Sequence, residues 1–227
     1  MNTNASNTEH PCVHCVAAKE LPPAPPLDSL IESNITKIIV LDFDGVLNPL
    51  SVGTLGKKYF PTDRTAVVKN PHHANNPTKE PPSYMVKWST KLVGELGGIL
   101  SGGDAVVVWL TTWEQYAGTL AAMMGLAPNT AQFFLDFGAP GVAHPPQGDK
   151  KPALENWLDA SSLLIDESPH PGAGVKIVWV DDDVLQGVYA GEVKHKYDGC
   201  LFTIAPNSMK GLSVYQAGML GRFMGAL

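Results

Sequence analysis

The chain has 227 residues, of which 44% are hydrophobic, so it is long enough to form one globular domain with its own core. Its 16 basic and 22 acidic residues give a formal net charge of −6, which disfavours general binding along a nucleic-acid backbone without excluding the grip of a single phosphate. Three cysteines in a chain of this length disfavour a disulfide scaffold.

Residues 1–34 are predicted to form a flexible N-terminal tail. They are rich in Asn, Thr, Ala and Pro and show no sustained apolar period, so we expect at most one short helix and weak docking or none. Cys12 and Cys15 form a C-x-x-C pair near His10 and His14, but no second pair with zinc-finger spacing follows, which favours a tail with two thiols over a metal site. The first residues lack the pattern of a signal peptide and no apolar run has the length of a bilayer span, so we expect a soluble cytoplasmic protein.

The first strong element is a strand at residues 35–41, a short unbroken run of β-branched and other apolar residues that suits burial on both faces. Residues 48–83 then become rich in Pro, Gly and Asn, which predicts a loop or flap insertion of about three dozen residues rather than a second domain. Residues 35–227 are therefore expected to form a single domain that carries this insertion.

Helices and strands alternate in the rest of the chain. Apolar residues at helical spacing predict a helix before residue 101: Met85, Trp88, Leu92, Leu96 and Ile99. Further helices are expected at 113–124, from 152 onward and at 211–224, and strands at 105–110, 131–137, 175–180 and 199–206. Such alternation predicts an α/β fold with a mostly parallel sheet covered by helices on both faces, whose ligand site lies outside the carboxyl ends of the strands.

Charged and hydroxyl side chains collect at that edge of the predicted sheet. They follow the strands or precede the helix near Pro152: Asp42, Asp44, Thr111, Thr112, Lys150, Lys151, Asp181, Asp182 and Asp183. Asp42 and Asp44 face the same way if the strand geometry continues, and two such carboxylates would repel a phosphate unless a cation lay between them. Hard oxygen ligands of this kind suit Mg²⁺, and Asp181 and Asp182 are placed to complete such a site.

The order of these motifs resembles the haloacid dehalogenase-like (HAD) hydrolase superfamily. The segment "IIVLDFDGVLN" is followed by "VVVWLTTW", by "DKKPALENWL" and by "IVWVDDD", over about residues 35–225. The phrases "DGVLNP", "WLTTW" and "VWVDDD", with "GLS" before the last helix, look most like the HAD domains of Swiss Army Knife RNA-repair proteins. The resemblance implies a three-layer Rossmann-like HAD fold, and the small size of the insertions predicts no cap domain or only a minimal flap.

This resemblance implies a Mg²⁺-dependent phosphatase that works through an aspartyl phosphate. Asp42 would be the nucleophile, and Asp44 the acid that protonates the leaving oxygen and the base that then activates water. Thr111 would hydrogen-bond a phosphate oxygen, and a lysine would neutralise charge on the transferring phosphate. The spacing to the apolar face of the helix favours Lys150 for this role, while Lys151 stays open as the alternative.

The resemblance also implies a magnesium site. Asp42 would bind the metal through its side chain and Asp44 through its main-chain carbonyl, while Asp181 and Asp182 match the acidic pair of the family, with their direct ligation left open. Asp183 is expected at the start of a helix, where its charge meets the helix dipole. An EF-hand calcium loop does not fit, because the third ligand position and the twelfth carry no acid here.

The substrate stays open at the level of sequence. An open site suits a phosphorylated small molecule, a nucleotide or a nucleic-acid terminus; the RNA-repair resemblance favours the last, whereas the net charge does not. Two alternative functions are a phosphotransferase and a non-catalytic HAD-like module that binds a phosphorylated partner, while a receiver domain is disfavoured because it would have no acidic pair after the lysine. The segment that contains His72 and His73 is expected to be a polar loop rather than a part of the site. Trp113 is equally suited to stacking on a base or sugar and to a position in a helix core.

Overall fold

The structure, a computed structural model, describes residues 19–51, 58–69, 82–137, 150–165, 174–185, 197 and 199–226. Among these residues, no helix is both long enough and apolar enough to cross a bilayer. His72 and His73 of the insertion, and the cysteine pair near the N-terminus, lie outside the described residues.

Strands and helices alternate along the described residues. The strands are β1 (Lys37–Leu41), β2 (Arg64–Lys69), β3 (Ser83–Trp88), β4 (Ala105–Trp109), β5 (Ala131–Phe134), β6 (Lys176–Val180) and β7 (Leu201–Ile204). The α-helices are α1 (Leu27–Glu32), α2 (Thr90–Ile99), α3 (Ala117–Met124), α4 (Lys150–Asp159), α5 (Ser162–Ile165) and α6 (Val214–Met224). Short 3-10 turns at Glu114–Tyr116 and Asp182–Leu185 follow β4 and β6.

Five parallel strands form the central sheet, in the order β5-β4-β1-β6-β7. From β1 the chain moves outward through β4 to β5, then crosses back to β6 and continues outward to β7 on the other side. The direction of winding therefore reverses between β1 and β6, and ligands bind open α/β sheets at such a switch point. Leu41 pairs with Trp109 of β4 and with Val180 of β6, so the three carboxyl ends lie level with one another.

Alternate side chains of the sheet contribute to two hydrophobic layers. Ile39 and Leu41 belong to the cluster that includes residues of α2, α3 and α6, whereas Ile38 and Val40 belong to the cluster that includes residues of α1 and α4. Because burying one large aliphatic side chain contributes about 1.5–3 kcal/mol, each strand keeps its register and each residue its own face. The predicted α/β fold, a three-layer Rossmann-like arrangement around a parallel sheet, is confirmed.

Met85 and Trp88 lie in strand β3, so the prediction that they begin a helix is wrong. β3 pairs with β2 as an antiparallel hairpin, in which Val86 and Trp88 are buried and Met85 is exposed. The helix begins only at Thr90, because the Ser89 side chain accepts a hydrogen bond from a backbone N–H in the first turn and caps α2. The described part of the insertion thus ends in an ordered hairpin that runs directly into α2.

Helix α4 begins at Lys150, two residues before the predicted start at Pro152. Proline is tolerated in the first turn because the N–H groups of that turn have no partner within the helix. The earlier start makes Lys150 the first residue of α4, where its side chain is buried.

Residues 19–34 pack against the domain, in contrast to the weak docking expected for this segment. Leu21, Leu27 and Leu30 are buried, the last two through α1. Three leucines are too few to produce a recognisable hydrophobic periodicity, and the surrounding prolines favoured the prediction of a tail. Burial of these side chains nevertheless favours docking of the segment.

The same segment adds to the edge of the sheet beyond β5. The Ala24 N–H donates to the Phe134 carbonyl at 2.7 Å, and the Phe134 N–H donates to the Pro22 carbonyl at 3.0 Å. On the adjoining helix α4, Trp157 donates its indole N–H to the Pro25 carbonyl at 2.9 Å. These bonds join the segment both to the sheet and to the helix that begins with Lys150.

Candidate functional site

Asp42 lies directly after β1, beside the switch point of the sheet. Its side chain is buried and both of its oxygen atoms are bound. Oδ1 accepts the Phe43 N–H at 2.7 Å, and Oδ2 accepts a hydrogen bond from Lys150 Nζ at 2.8 Å. The carboxylate is therefore held in one orientation with a positive charge beside it.

Lys150 joins two of the acids that follow different strands. Its ammonium donates to Asp42 Oδ2 at 2.8 Å and to Asp181 Oδ2 at 3.1 Å. Lys151 instead pairs with Glu155, one turn along α4, at 3.6 Å, and its side chain is partly exposed. Lys150 rather than Lys151 is thus the lysine that lies between the carboxylates.

Three carboxylates gather around this lysine. Asp42, Asp181 and Asp182 each offer an oxygen atom, and the three atoms lie within 4.8 Å of one another. Asp181 directly follows β6 and is fully buried, and its Oδ1 accepts the Asp183 N–H at 2.9 Å. Three carboxylate oxygens at this spacing could hold a metal ion, and their hard oxygen character suits a hard cation.

Burial and mutual repulsion raise the pKa values of these acids. Burial, followed by the charge of Asp42, raises the pKa of Asp181 to about 7, and burial with the charges of Asp42 and Asp183 raises the pKa of Asp182 to about 6. Burial also raises the pKa of Asp42, although Lys150 opposes this. Burial disfavours the charged form of Lys150, but Asp42 and Asp181 outweigh it and raise the pKa, so the ammonium stays charged. One ammonium does not offset three carboxylates, and the site therefore favours an additional cation.

Thr111 follows β4 at the same edge of the sheet. It is fully buried, and its hydroxyl has no hydrogen-bond partner within the described part of the chain, a property shared there only with the indole nitrogen of Trp179. A buried polar group left without a partner costs about 1–3 kcal/mol. A hydroxyl of this kind suits a ligand that brings its own oxygen atoms to the strand ends.

Asp44 lies outside the group of three carboxylates, and two other residues fix its side chain. Oδ1 accepts from Asn48 Nδ2 at 2.6 Å, and Oδ2 accepts from Trp113 Nε1 at 3.1 Å. Trp113 is only 3% exposed, so of its two suggested roles the structure shows burial within the protein rather than an open stacking surface. Asn48 was not singled out from the sequence, where its position four residues after Asp44 is the only signal.

Gly45 lets the backbone turn between Asp44 and the hairpin. Its φ of +75° lies in the left-handed region that favours glycine. A Cβ at this position would lie 2.3 Å from Asp182 Oδ2, closer than any side chain can approach. The glycine is therefore required both by the turn and by the closeness of the acid that follows β6.

The chain matches no protein-family model and no curated protein. What the site can do follows from its own residues. An oriented carboxylate, a buried ammonium, two more acids and an unpaired hydroxyl follow or flank the central strands where the winding of the sheet reverses.

Proposed function

We propose that the protein is a Mg²⁺-dependent phosphatase of the HAD type that acts through an aspartyl phosphate. The observation that carries the proposal is the pairing of the buried Asp42 carboxylate with Lys150, beside Asp181 and Asp182, at the switch point of the sheet. A carboxylate in a fixed orientation is suited to nucleophilic attack. Phosphoryl transfer depends mostly on positioning and on neutralisation of charge: Asp42 is positioned, and Lys150 together with a cation bound by the acids would neutralise charge.

Mg²⁺ held by Asp42, Asp181 and Asp182 would neutralise phosphate oxygens and so allow a carboxylate to approach phosphorus. Two observations support these ligands: the three oxygen atoms lie within 4.8 Å of one another, and Gly45 leaves the space that Asp182 fills. Lys150 would contribute a second positive charge, since its ammonium donates to both Asp42 and Asp181. In this proposal the unpaired Thr111 hydroxyl donates to a phosphate oxygen.

In the first step, an oxygen atom of Asp42 forms a bond to phosphorus as the bond between phosphorus and the ester oxygen breaks. Asp44 transfers its carboxyl proton to that ester oxygen. An alcohol leaves, Asp44 becomes a carboxylate, and Asp42 carries the phosphoryl group. Lys150 and Thr111 hold the phosphate oxygens while the charge moves between the two bonds.

In the second step, the Asp44 carboxylate takes a proton from a water molecule. The oxygen of that water bonds to phosphorus as the bond between Asp42 and phosphorus breaks. Orthophosphate leaves, Asp42 regains its carboxylate and Asp44 regains its proton. Two moderate displacements thus replace one difficult displacement by water.

The substrates that we propose are phosphate monoesters on nucleotides or polynucleotide ends. Within the described residues, strand β2 of the insertion pairs with β3 as a two-stranded hairpin, which supports a minimal flap. The RNA-repair resemblance favours a polynucleotide end, whereas the net charge of −6 disfavours long contacts along its backbone. Binding of the terminal phosphate alone, without long contacts along the backbone, is compatible with both the resemblance and the net charge.

The test is phosphate release from 4-nitrophenyl phosphate with and without Mg²⁺, followed by a panel of nucleotides and of oligonucleotides with 5′- or 3′-phosphates. We expect Asp42→Asn to lower kcat by at least about a thousandfold while the protein stays folded, because the amide is not a nucleophile. Asp104→Asn is the matched control, since Asp104 pairs with Lys37 at the opposite end of the sheet.

Full activity in Asp42→Asn would show that Asp42 is not the nucleophile. Wild-type protein that neither binds Mg²⁺ nor turns over any ester of the panel would identify a phosphate-binding module without catalysis. Transfer of the phosphoryl group to an added alcohol in preference to water would identify a phosphotransferase.

A further inference from the structure

Asp44 is bound on both oxygen atoms by donors that come from two different segments of the chain. Asn48, in the turn after β1, donates to Oδ1 at 2.6 Å, and Trp113, in the turn after β4, donates to Oδ2 at 3.1 Å. Both donors are buried, at 7% and 3% exposure, which limits competition from solvent for these bonds. The plane of the Asp44 carboxyl group is consequently fixed by two separated contacts.

Strand β3 of the hairpin holds both of these donors. The Lys87 N–H donates to Asn48 Oδ1 at 2.9 Å, which orients the amide so that its NH₂ group faces Asp44. The Tyr84 ring meets the Trp113 ring edge to face, with centroids 5.6 Å apart and planes at 70°. The ring of Phe43, next to Asp44 in the chain, meets the same tryptophan at 5.9 Å and 77°. The two donors are therefore themselves held by a second set of contacts.

We propose that Asn48 and Trp113 are positioning residues that orient Asp44 for proton transfer, and that strand β3 holds them in place. This inference rests on the proposed phosphatase function, in which Asp44 is the acid and base. A carboxyl group has about four lone-pair positions, and two N–H donors occupy two of them, which leaves room for the proton and for the leaving oxygen. A general acid acts only within hydrogen-bond reach of its target, so a rotated carboxyl plane slows the transfer.

The alternative is that both hydrogen bonds stabilise the turn and have no influence on the reaction. The two cases differ in how the rate depends on the leaving group. An alkoxide leaves poorly without a proton, whereas 4-nitrophenolate is stable enough to leave without one. A misplaced Asp44 therefore slows the hydrolysis of an alkyl phosphate more than that of 4-nitrophenyl phosphate, whereas general damage to the fold slows both equally.

The variant that separates the two cases is Trp113→Phe. Phenylalanine keeps an aromatic ring between Tyr84 and Phe43 but has no N–H for Asp44. The matched control is Trp157→Phe, which removes a buried indole bond of similar length, 2.9 Å, to the Pro25 carbonyl. We expect Trp113→Phe to lower kcat/KM for a simple alkyl phosphate by about tenfold or more and for 4-nitrophenyl phosphate by about threefold or less. The control should leave the ratio of the two substrates unchanged.

A second measurement does not depend on activity or on the folding of that variant. The indole N–H resonances of the five tryptophans are recorded by NMR in the wild type and in Asp44→Asn. We expect the Trp113 signal to move by more than the Trp157 signal, because the Trp113 indole donates to Asp44 whereas the Trp157 indole donates to the Pro25 carbonyl.

The outcomes separate this inference from the function on which it rests. Wild-type protein that hydrolyses neither ester, and none of the nucleotides and phosphorylated oligonucleotides of the panel, overturns the phosphatase and, with it, the positioning role. Wild-type protein that hydrolyses both, with Trp113→Phe slowing them equally, overturns the positioning role alone. A Trp113 indole signal that does not move in Asp44→Asn also overturns it. A selective loss on the alkyl ester together with a shifted indole signal supports it.

Discussion

Replacing Asp181 with Asn removes the acid whose pKa is raised to about 7 and leaves a side chain of nearly the same shape. In the wild type without metal, folded Asp181 keeps its proton up to about that pH, whereas the unfolded chain releases it near the ordinary value of 3.8. The folded state therefore binds more protons across this window. Stability contributed by the protonated form is present below 3.8 and is lost as pH rises toward 7.

The magnitude follows from the size of the pKa shift. The pKa of Asp181 rises from 3.8 to about 7, which is roughly three pKa units. Each unit corresponds to about 1.4 kcal/mol, so ionisation of Asp181 in the folded protein lowers the free energy of unfolding by about 4 kcal/mol above pH 7. About two of these units fall between pH 5 and pH 8. The charges of neighbouring Asp42 and Lys150 also respond when Asp181 is replaced, which widens the expected range. We therefore expect the stability of Asp181→Asn relative to wild type to improve by about 1–3 kcal/mol between pH 5 and pH 8.

The assay is urea denaturation at both pH values in a chelator, with and without excess Mg²⁺. Asp183→Asn is the control, because it makes the same change in charge two residues away. In excess Mg²⁺ we expect the wild type to gain stability at pH 8 and the variant to gain much less, since a ligand is lost. A variant that is less stable than wild type at pH 8 in chelator, by as much as at pH 5, would refute the reasoning.

Substitutions at Gly45 and Lys150, with Lys151→Gln as a control, probe the same edge of the sheet. Gly45→Ala would push a Cβ onto Asp182 and adopt an unfavourable φ, so we expect a loss of about 1–3 kcal/mol of stability and weaker Mg²⁺ binding, measured by thermal denaturation and by cation titration. Lys150→Gln should lower kcat by at least about a hundredfold, whereas Lys151→Gln, which loses a partly exposed pair with Glu155, should stay within about threefold of wild type. Equal losses in both lysine variants, or unchanged Mg²⁺ binding in Gly45→Ala, would count against the arrangement described here.

The central sheet was predictable because burial on both faces demands uninterrupted apolar runs, and the chain places such runs before Asp42, Thr111 and Asp181. Since parallel strands share one carboxyl edge, these residues were expected to meet there. Strand β3 was missed because Trp88 and Leu92 keep helical spacing across the junction between strand and helix. The capping residue between them was the local signal that should have separated the two elements.

The surroundings of Asp44 could not be predicted in the same way. Asn48 lies close in sequence, but its amide is oriented by a backbone N–H of the hairpin, at Lys87. Trp113 reaches Asp44 from 69 residues away, and its position in the sequence suited stacking and a helix core equally well. These contacts depend on how the hairpin lies across the sheet, which neither periodicity nor motif spacing encodes. The choice between Lys150 and Lys151 likewise depended on where helix α4 begins.

The segment that continues the sheet past β5 has a consequence for association between molecules. An edge strand with free N–H and C=O groups is a template on which another chain can add a strand. Beside Phe134 of β5, the outermost backbone of the sheet is the segment that contains Pro22 and Pro23. Proline has no N–H to donate to a further strand. The proline-rich stretch therefore closes this side of the sheet against pairing with a second copy, so that a composition typical of a loose tail protects the protein from aggregation at that edge.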